Sequence, residues 1–121
     1  MTTTLIIPEK VPSNNGKNGL LRTHWAKRRK LVETWAWLFR AQTTNRHAGQ
    51  VEIQIIHYHI GRAIQDYDNL VSTLKLPLDA LVKAGIIADD KMSVIGVPTI
   101  EQVRVKDKKE VKTVITIISK Q

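Results

Sequence analysis

The chain has 121 residues, no cysteine, and 19 Lys and Arg against 11 Asp and Glu, which gives a formal charge of +8. This length accommodates one domain, residues 1–121, and excludes a second domain of ordinary size. The lack of cysteine excludes a disulfide framework and a thiolate zinc site. The charge favours a polyanionic partner such as nucleic acid, because phosphates release counterions when they bind cations, although a merely soluble basic protein is the alternative.

Targeting signals and membrane spans are not expected. The N-terminal residues lack the positive flank and apolar core of a signal peptide, and no apolar run approaches the ~20 residues of a membrane span. We therefore expect a cytoplasmic protein with no membrane partner.

The first half of the chain predicts a strand, a helix and a second strand. Residues 2–11 are β-rich and end in a cluster of turn formers at 12–19. From Thr23, a plausible N-cap, apolar residues recur at helical spacing as far as about residue 43. The apolar stripe of this helix consists of Trp25, Leu31, Val32, Trp35, Ala36, Leu38 and Phe39. Residues 51–60 are β-branched and partly alternating, which predicts the second strand.

A second helical pattern follows the acidic segment 66–69. Gly85 ends it in a manner typical of a Schellman stop. Pro77 lies inside the pattern, where a proline removes one hydrogen bond and clashes with the preceding turn. The helix is therefore expected either to kink near Thr73 or to begin close to Leu76.

The last third of the chain predicts two more strands, at residues 94–105 and 110–119. Because they follow one another through a short connection at 106–109, we expect them to form a closing β-hairpin. The order β-α-β-α-β-β predicts an α+β fold, in which a single mixed sheet of about four strands carries two helices packed on it.

Two acidic pairs carry the candidate chemistry. Asp66 and Asp68 lie two residues apart, so on extended backbone their carboxylates point the same way and could share a hard divalent cation. The alternative is an ordinary helix start, with Asp68 or Asn69 as the cap. Asp89 and Asp90 follow the helix and could bring a third carboxylate back to the first pair, or could form a solvated turn.

One lysine has two interpretations. Lys75 and Asp79 stand four residues apart, and on a helix this spacing favours a simple intrahelical ion pair. Lys75 could instead neutralise the charge of a metal-bound phosphodiester or orient the attacking water.

These residues occur together in a pattern that includes Asp66-x-Asp68-Asn69, Lys75-x-x-x-Asp79-Ala80-Leu81, Lys83-Ala84-Gly85 and Asp89-Asp90. In this pattern the chain resembles the RusA-type Holliday junction resolvases. Pro12-Ser13-Asn14-Asn15 and Arg22-Thr23-His24 are similar to the N-terminal segment of that family. The resemblance covers nearly the whole chain and is strongest over residues 62–90. The family usually places its lysine four residues after the second aspartate, and the distance of seven here indicates an insertion of three residues before Lys75.

The resemblance implies a homodimeric endonuclease that resolves four-way DNA junctions by paired nicks, in recombination and repair and in a bacterial or prophage setting. It implies Asp66, Asp68 and Asp90 as catalytic ligands of magnesium, with manganese as a possible substitute. It also implies Lys75 as the essential lysine, and no organic cofactor.

Candidate DNA contacts come from the cationic residues. The basic run of the first helix, with three further arginines, predicts contacts to phosphates, although a solvated helix face is the alternative. These cations are Lys27, Arg28, Arg29 and Lys30, with Arg22, Arg40 and Arg62. The N-terminal resemblance adds Asn14 and Asn15 as candidate DNA-binding residues.

Histidines and tryptophans have structural and functional interpretations. His57 and His59 project from one strand face and could ligate zinc or copper, but without further ligands at suitable spacing a core or surface position is favoured. Trp25 and Trp35 belong to the apolar stripe, which favours the core over stacking on unpaired bases. Trp37 is off that stripe, which favours a dimer interface or a DNA contact.

Two other functions compete with the nuclease. One is a non-catalytic DNA-binding module in which the aspartates only cap helices and shape turns, an interpretation that the displaced Lys75 supports. The other is a hydrolase of small phosphorylated substrates, which the positive charge and the lack of a glycine-rich phosphate loop disfavour.

Overall fold

Strands and helices are described for residues 1–9 and 25–120 in a computed structural model. The strands are β1 (Thr2–Ile7), β2 (Val51–His59), β3 (Thr99–Arg104) and β4 (Lys112–Ser119). The helices are α1 (Trp25–Gln42), α2 (Tyr67–Ser72), α3 (Lys75–Lys83) and α4 (Met92–Ile95), with a 3-10 turn at Lys108–Glu110. Within these ranges, each helix is too short or too polar to cross a membrane. The predicted N-cap Thr23 lies outside the described residues.

The four strands form one mixed sheet in the order β1-β4-β2-β3. β4 is antiparallel to β1 and to β2, whereas β3 is parallel to β2. The parallel pair requires a crossover connection, which α2, α3 and α4 provide. The predicted α+β fold with a single mixed sheet is confirmed.

The predicted hairpin between the last two strands is wrong, because β2 lies between β3 and β4. β4 buries alternate residues along its length, and its Ile115 and Ile117 pair in register with Ile55 and Ile53 of β2. This pairing places two buried isoleucine pairs together at the centre of the sheet. β3 buries none of its residues and therefore suits an edge position. The start of the predicted strand, residues 94–98, falls in α4 and the loop after it.

The core lies between the helices and one face of the sheet. Trp35 and Phe39 of α1 are fully buried and meet edge to face, with ring centroids 6.1 Å apart. These contacts confirm the predicted stripe at Trp35, Ala36 and Phe39, and its other described members are partly buried. The side chain of Trp25 lies outside the described part of the structure. The opposite face of the sheet carries Ile6, Ile56, Tyr58 and Val114, which each keep part of the side chain exposed.

The predicted break in the second helix is confirmed at Thr73 and Leu74, between α2 and α3. The amide of Leu74 donates to the carbonyl of Val71 at 3.0 Å, and the amide of Leu78 donates to Leu74 at 3.1 Å. Pro77 is the third residue of α3, where a missing N–H removes no helical hydrogen bond. The proline thus fits the start of a new helix, and the chain changes direction just before Lys75.

The predicted Schellman stop at Gly85 is also confirmed. Gly85 has a φ of +76°. Its amide donates to Val82, and the amide of Ile86 donates to Leu81, each at 3.0 Å. Leu81 and Ile86 are both buried, which supplies the apolar contact that accompanies this motif. The turn directs the chain from α3 into the loop that carries Asp89 and Asp90.

Candidate functional site

The first acidic pair lies at the start of α2. Asp66 occupies the N-cap position with extended backbone, and Asp68 lies in the first helical turn; both residues are exposed. The amide of Leu70 donates to the carbonyl of Asp66 at 3.0 Å, which makes Tyr67 the first helical residue. The predicted cap at Asp68 or Asn69 is therefore wrong. The Asp66 side chain makes no capping hydrogen bond, so its carboxylate does not accept from a backbone amide at the start of the helix.

This helical start changes the expected geometry of the pair. Asp68 belongs to α2, and side chains two positions apart on a helix do not face each other, unlike those of a strand. Asp66 and Asp68 consequently share one end of α2 without the parallel orientation that extended backbone would give.

The junction between α2 and α3 is tied to the sheet through buried side chains. Thr73 is 1% exposed, and its hydroxyl donates to the carbonyl of Leu70 at 2.6 Å. The same oxygen lies 2.9 Å from His57 Nε2, so with its proton already committed it accepts from the imidazole. This network assigns a proton to Nε2 of His57, which is 3% exposed on β2. The contact fixes the point from which α3 and Lys75 depart.

His57 and His59 both lie in the core, as the structural interpretation expects. His57 is bonded to threonine hydroxyls of α2–α3 and β4. The Nδ1 atom of His59 is buried and has no hydrogen-bond partner among residues 1–9 and 25–120. Within residues 1–9 and 25–120, no third ligand accompanies these two histidines to complete a zinc or copper site.

Asp79 and Asp90 lie at a groove between α1, α3 and the loop after α3, and Lys75 pairs with Asp79. Lys75 Nζ lies 3.3 Å from Asp79 Oδ1, an ion pair in which the two side chains are 62% and 32% exposed. Asp79 and Asp90 line the groove, which has a volume of about 360 Å³. Its other walls are Arg29 and Val32 of α1, with Val82 and Lys83 of α3. Two segments that are separate in sequence therefore bring carboxylates to one place.

The two residues of the second acidic pair, Asp89 and Asp90, have different environments. Asp89 accepts a hydrogen bond from the amide of Asp90 at 2.7 Å and lies 3.6 Å from Lys91 Nζ. The amide of Asp90 is the main reason that the pKa of Asp89 is lowered, and Lys91 adds to the effect. Asp89 is thus used within its own loop, whereas Asp90 is exposed and faces the groove. This arrangement gives a structural reason to distinguish Asp90 from Asp89.

The described residues contain no group of three His, Cys, Asp or Glu side chains that could hold one metal ion. Asp66, Asp68 and Asp90 all lie within those residues. Their carboxylate oxygens are the donors that magnesium prefers. Their arrangement, however, does not present three ligands to one ion, so the fit to a magnesium centre is incomplete.

We call residues 27–30, at the start of α1, the cationic face of α1. Lys27, Arg28, Arg29 and Lys30 are all exposed, and Arg29 also lines the groove. Arg62 is exposed in the loop before α2. Arg40 instead donates to the carbonyl of Lys83 at 2.7 Å, at the end of α3. The candidate DNA contacts Asn14, Asn15 and Arg22 lie outside the described residues.

The tryptophans of α1 differ in environment. Trp35 is fully buried and its Nε1 donates to Glu9 at 2.9 Å, which confirms the core interpretation. Trp37 is 69% exposed, as its position off the stripe predicts.

One feature was not anticipated from the sequence. The sequence predicts a connection at 106–109 and a strand from residue 110, but Lys106, Glu110 and Lys112 line a cationic pocket with Tyr58 and Arg104 at one end of the sheet. The run of lysines at 106, 108 and 109 was the available signal.

No model of a known protein family and no curated protein matches this chain.

Proposed function

We propose that the chain is a metal-dependent, structure-specific endonuclease that resolves four-way DNA junctions by paired phosphodiester nicks, in DNA recombination and repair. The observation that carries the proposal is the groove in which Asp90 joins Asp79 and, through it, Lys75. Carboxylates repel phosphates, so a surface built only to hold DNA gains nothing from two of them beside the cationic face of α1. A site that handles a cation or a proton does use them.

The chain's own residues have separate roles in this proposal. Lys75 neutralises charge on the phosphate, and its ammonium group is held by the ion pair with Asp79, which lines the groove. The cations at the start of α1 hold the DNA backbone across the groove without reading its sequence. Thr73 and His57 position the start of α3, and so of Lys75, without contacting the substrate.

Asp66, Asp68 and Asp90 are the proposed ligands of magnesium, for which manganese could substitute. A bound ion would activate water and stabilise the leaving oxygen. Among the described residues, these three carboxylates do not form a group that could hold one ion. For all three to bind the same ion, the start of α2 and the loop of Asp90 would have to approach one another. No organic cofactor is proposed.

A homodimer in the cytoplasm completes the proposal. A two-fold dimer places two equivalent grooves on opposite strands of a junction that itself has two-fold symmetry. The exposed Trp37 and the sheet face with Ile6, Ile56 and Val114 are candidate surfaces for the partner copy, because large exposed apolar side chains often mark interfaces.

The experiment compares a labelled four-way junction with linear duplex, with and without magnesium. We expect magnesium-dependent paired nicks in the junction, and a loss of at least ~100-fold in Asp68→Asn and Asp90→Asn while binding survives. Asp89→Asn is the matched control, because the asparagine oxygen can still accept the Asp90 amide and Asp89 does not line the groove. If Asp89→Asn and Asp90→Asn lose activity equally, the assignment of Asp90 to the site is wrong.

A non-catalytic DNA-binding module is the second candidate, favoured by the lack of a three-carboxylate group in the described residues. It predicts that the wild-type protein binds junctions and leaves every strand intact with either magnesium or manganese. In that case neutralising Asp90 should tighten DNA binding, since it removes a like charge from the groove.

A further inference from the structure

A second concave, cationic surface lies at the end of the sheet where β2 and β3 finish and β4 begins. Its volume is about 420 Å³, and its lining includes Tyr58, Arg104, Lys106, Glu110 and Lys112. None of these residues lines the groove of Asp90. We name this surface the basic pocket.

The walls of the basic pocket are held by backbone and ring contacts. The amide of Val105 donates to the carbonyl of His59 at 2.8 Å, which continues the β2–β3 pairing beyond the strand. Lys112 Nζ lies 5.0 Å from the centroid of the Tyr58 ring, within cation–π distance. Asp107 accepts from the amide of Lys109 at 2.9 Å and so fixes the connecting turn. The cations of the basic pocket are thus held by a loop that hydrogen bonds and a cation–π contact fix in place.

These cations lack the carboxylate partners that others in the chain have. The ion pairs among the described residues are Lys75–Asp79, Lys83–Glu33 and Lys91–Asp89, all on the helical side. Arg104, Lys106 and Lys112 form no ion pair within residues 1–9 and 25–120, and neither do Lys108 and Lys109 beside them. One carboxylate, Glu110, lines the pocket. The surplus of unpaired positive charge favours an anion there.

We infer that the basic pocket binds backbone phosphates of DNA, as a contact surface separate from the cationic face of α1. An ammonium group that gives up no ion pair on binding gains the full counterion-release contribution of a phosphate contact. Tyr58 keeps Lys112 over its ring, so the contact is to phosphate and not to a stacked base. The inference rests on the proposed function only in naming DNA as the polyanion.

The position of the basic pocket suits an extended DNA arm. The loop that leads from β2 to Asp66 departs from the same end of the sheet as the pocket. Gln102 of β3 ties this loop down through two hydrogen bonds with Ile64, at 2.9 and 3.1 Å. A duplex that passes the start of α2 can therefore continue along the end of the sheet and contact the basic pocket.

The test measures binding of a labelled four-way junction and a linear duplex by fluorescence anisotropy in EDTA, over a range of salt concentrations. Lys106→Gln should weaken binding to both DNAs by roughly tenfold near 0.1 M salt and reduce the slope of log K against log salt by about one. Glu110→Gln, which removes the one carboxylate among the described residues of the pocket, should tighten binding. Lys120→Gln is the matched control, because Lys120 follows the opposite end of β4 and loses the same charge. Thermal unfolding confirms that each variant is folded.

Equal effects of Lys106→Gln and Lys120→Gln would overturn the inference, because binding would then follow net charge alone. The inference would also be overturned if a nucleoside monophosphate saturates the basic pocket while the DNA affinity is unchanged in the variants. The basic pocket would then be a small-molecule site. These results are independent of nicking. A protein that binds DNA through the pocket but never cuts refutes the proposed nuclease alone, and a nuclease indifferent to Lys106→Gln refutes the pocket alone.

Discussion

The substitution Gly85→Ala tests the turn that carries the chain from α3 to Asp90. Gly85 has a φ of +76°, in the left-handed region, where a Cβ costs about 1–2 kcal/mol. The new Cβ would also overlap the guanidinium of Arg46, but this group ends a flexible, exposed side chain that can move into solvent. Its displacement gives up an exposed hydrogen bond to the Gly85 carbonyl, 3.2 Å long. We therefore expect the backbone term to dominate.

The expected loss in the free energy of unfolding is about 1–2 kcal/mol, or roughly 4 °C in Tm for each kcal/mol. Gly49→Ala is the matched control, because its φ is not positive and a new Cβ would have no heavy atom within 4 Å. That variant should be unchanged or more stable by about 0.4–1 kcal/mol, since alanine restricts the unfolded chain.

Urea unfolding followed by tryptophan fluorescence, to which the buried Trp35 contributes, measures both variants. The nicking assay repeated on folded Gly85→Ala reports on the placement of Asp90. If Gly85→Ala and Gly49→Ala have the same free energy of unfolding, the left-handed turn is not a source of strain for alanine.

Two further predictions concern buried polar side chains. Thr73→Val removes the acceptor of the His57 Nε2–H, so it should cost about 1–3 kcal/mol in unfolding free energy and lower nicking, whereas Thr73→Ser keeps the hydroxyl and should cost less; equal losses would contradict the bond. His47 is buried between Thr3 and Ser119, and its burial lowers its pKa below 6.5, with the N-terminal charge contributing. Below pH 6.5 the unfolded chain therefore binds a proton at His47 more readily than the folded chain does. The free energy of unfolding is at its highest above pH 6.5 and falls as the pH drops below it. Urea unfolding from pH 8 to 5 should show this decline, and a His47→Gln variant with an identical decline would refute it.

Much of the local structure follows from residues near one another in the chain. The stop at Gly85, the break before Pro77 and the burial of Trp35 and Phe39 each depend on a signal within a few positions. A helix period, a proline and a glycine with a positive φ act through local sterics and hydrogen bonding, and the tertiary structure does not override them here.

The candidate site was less accessible to sequence reasoning. The residue types at positions 66, 68, 75, 79 and 90 indicated where chemistry could lie, but their spacing could not show which of them meet. The start of α2 at Tyr67 depends on one backbone hydrogen bond from Leu70, and it removes the parallel orientation that two aspartates have on a strand. The separate roles of Asp89 and Asp90 likewise depend on a hydrogen bond and on a groove wall supplied by α1.

The sequence by itself determined the α+β class, the places of most strands and of the two longer helical segments, and where the second helical segment breaks and stops, but it did not predict α4. Only the tertiary structure decided that β4 rather than β3 lies between β1 and β2, that Asp90 and Asp79 share a groove, and that the lysines after β3 form a pocket. The physical reason is that a strand pairs with whichever partner best matches its buried face, at any distance along the chain. A pocket wall is likewise formed by residues that only the completed sheet brings together.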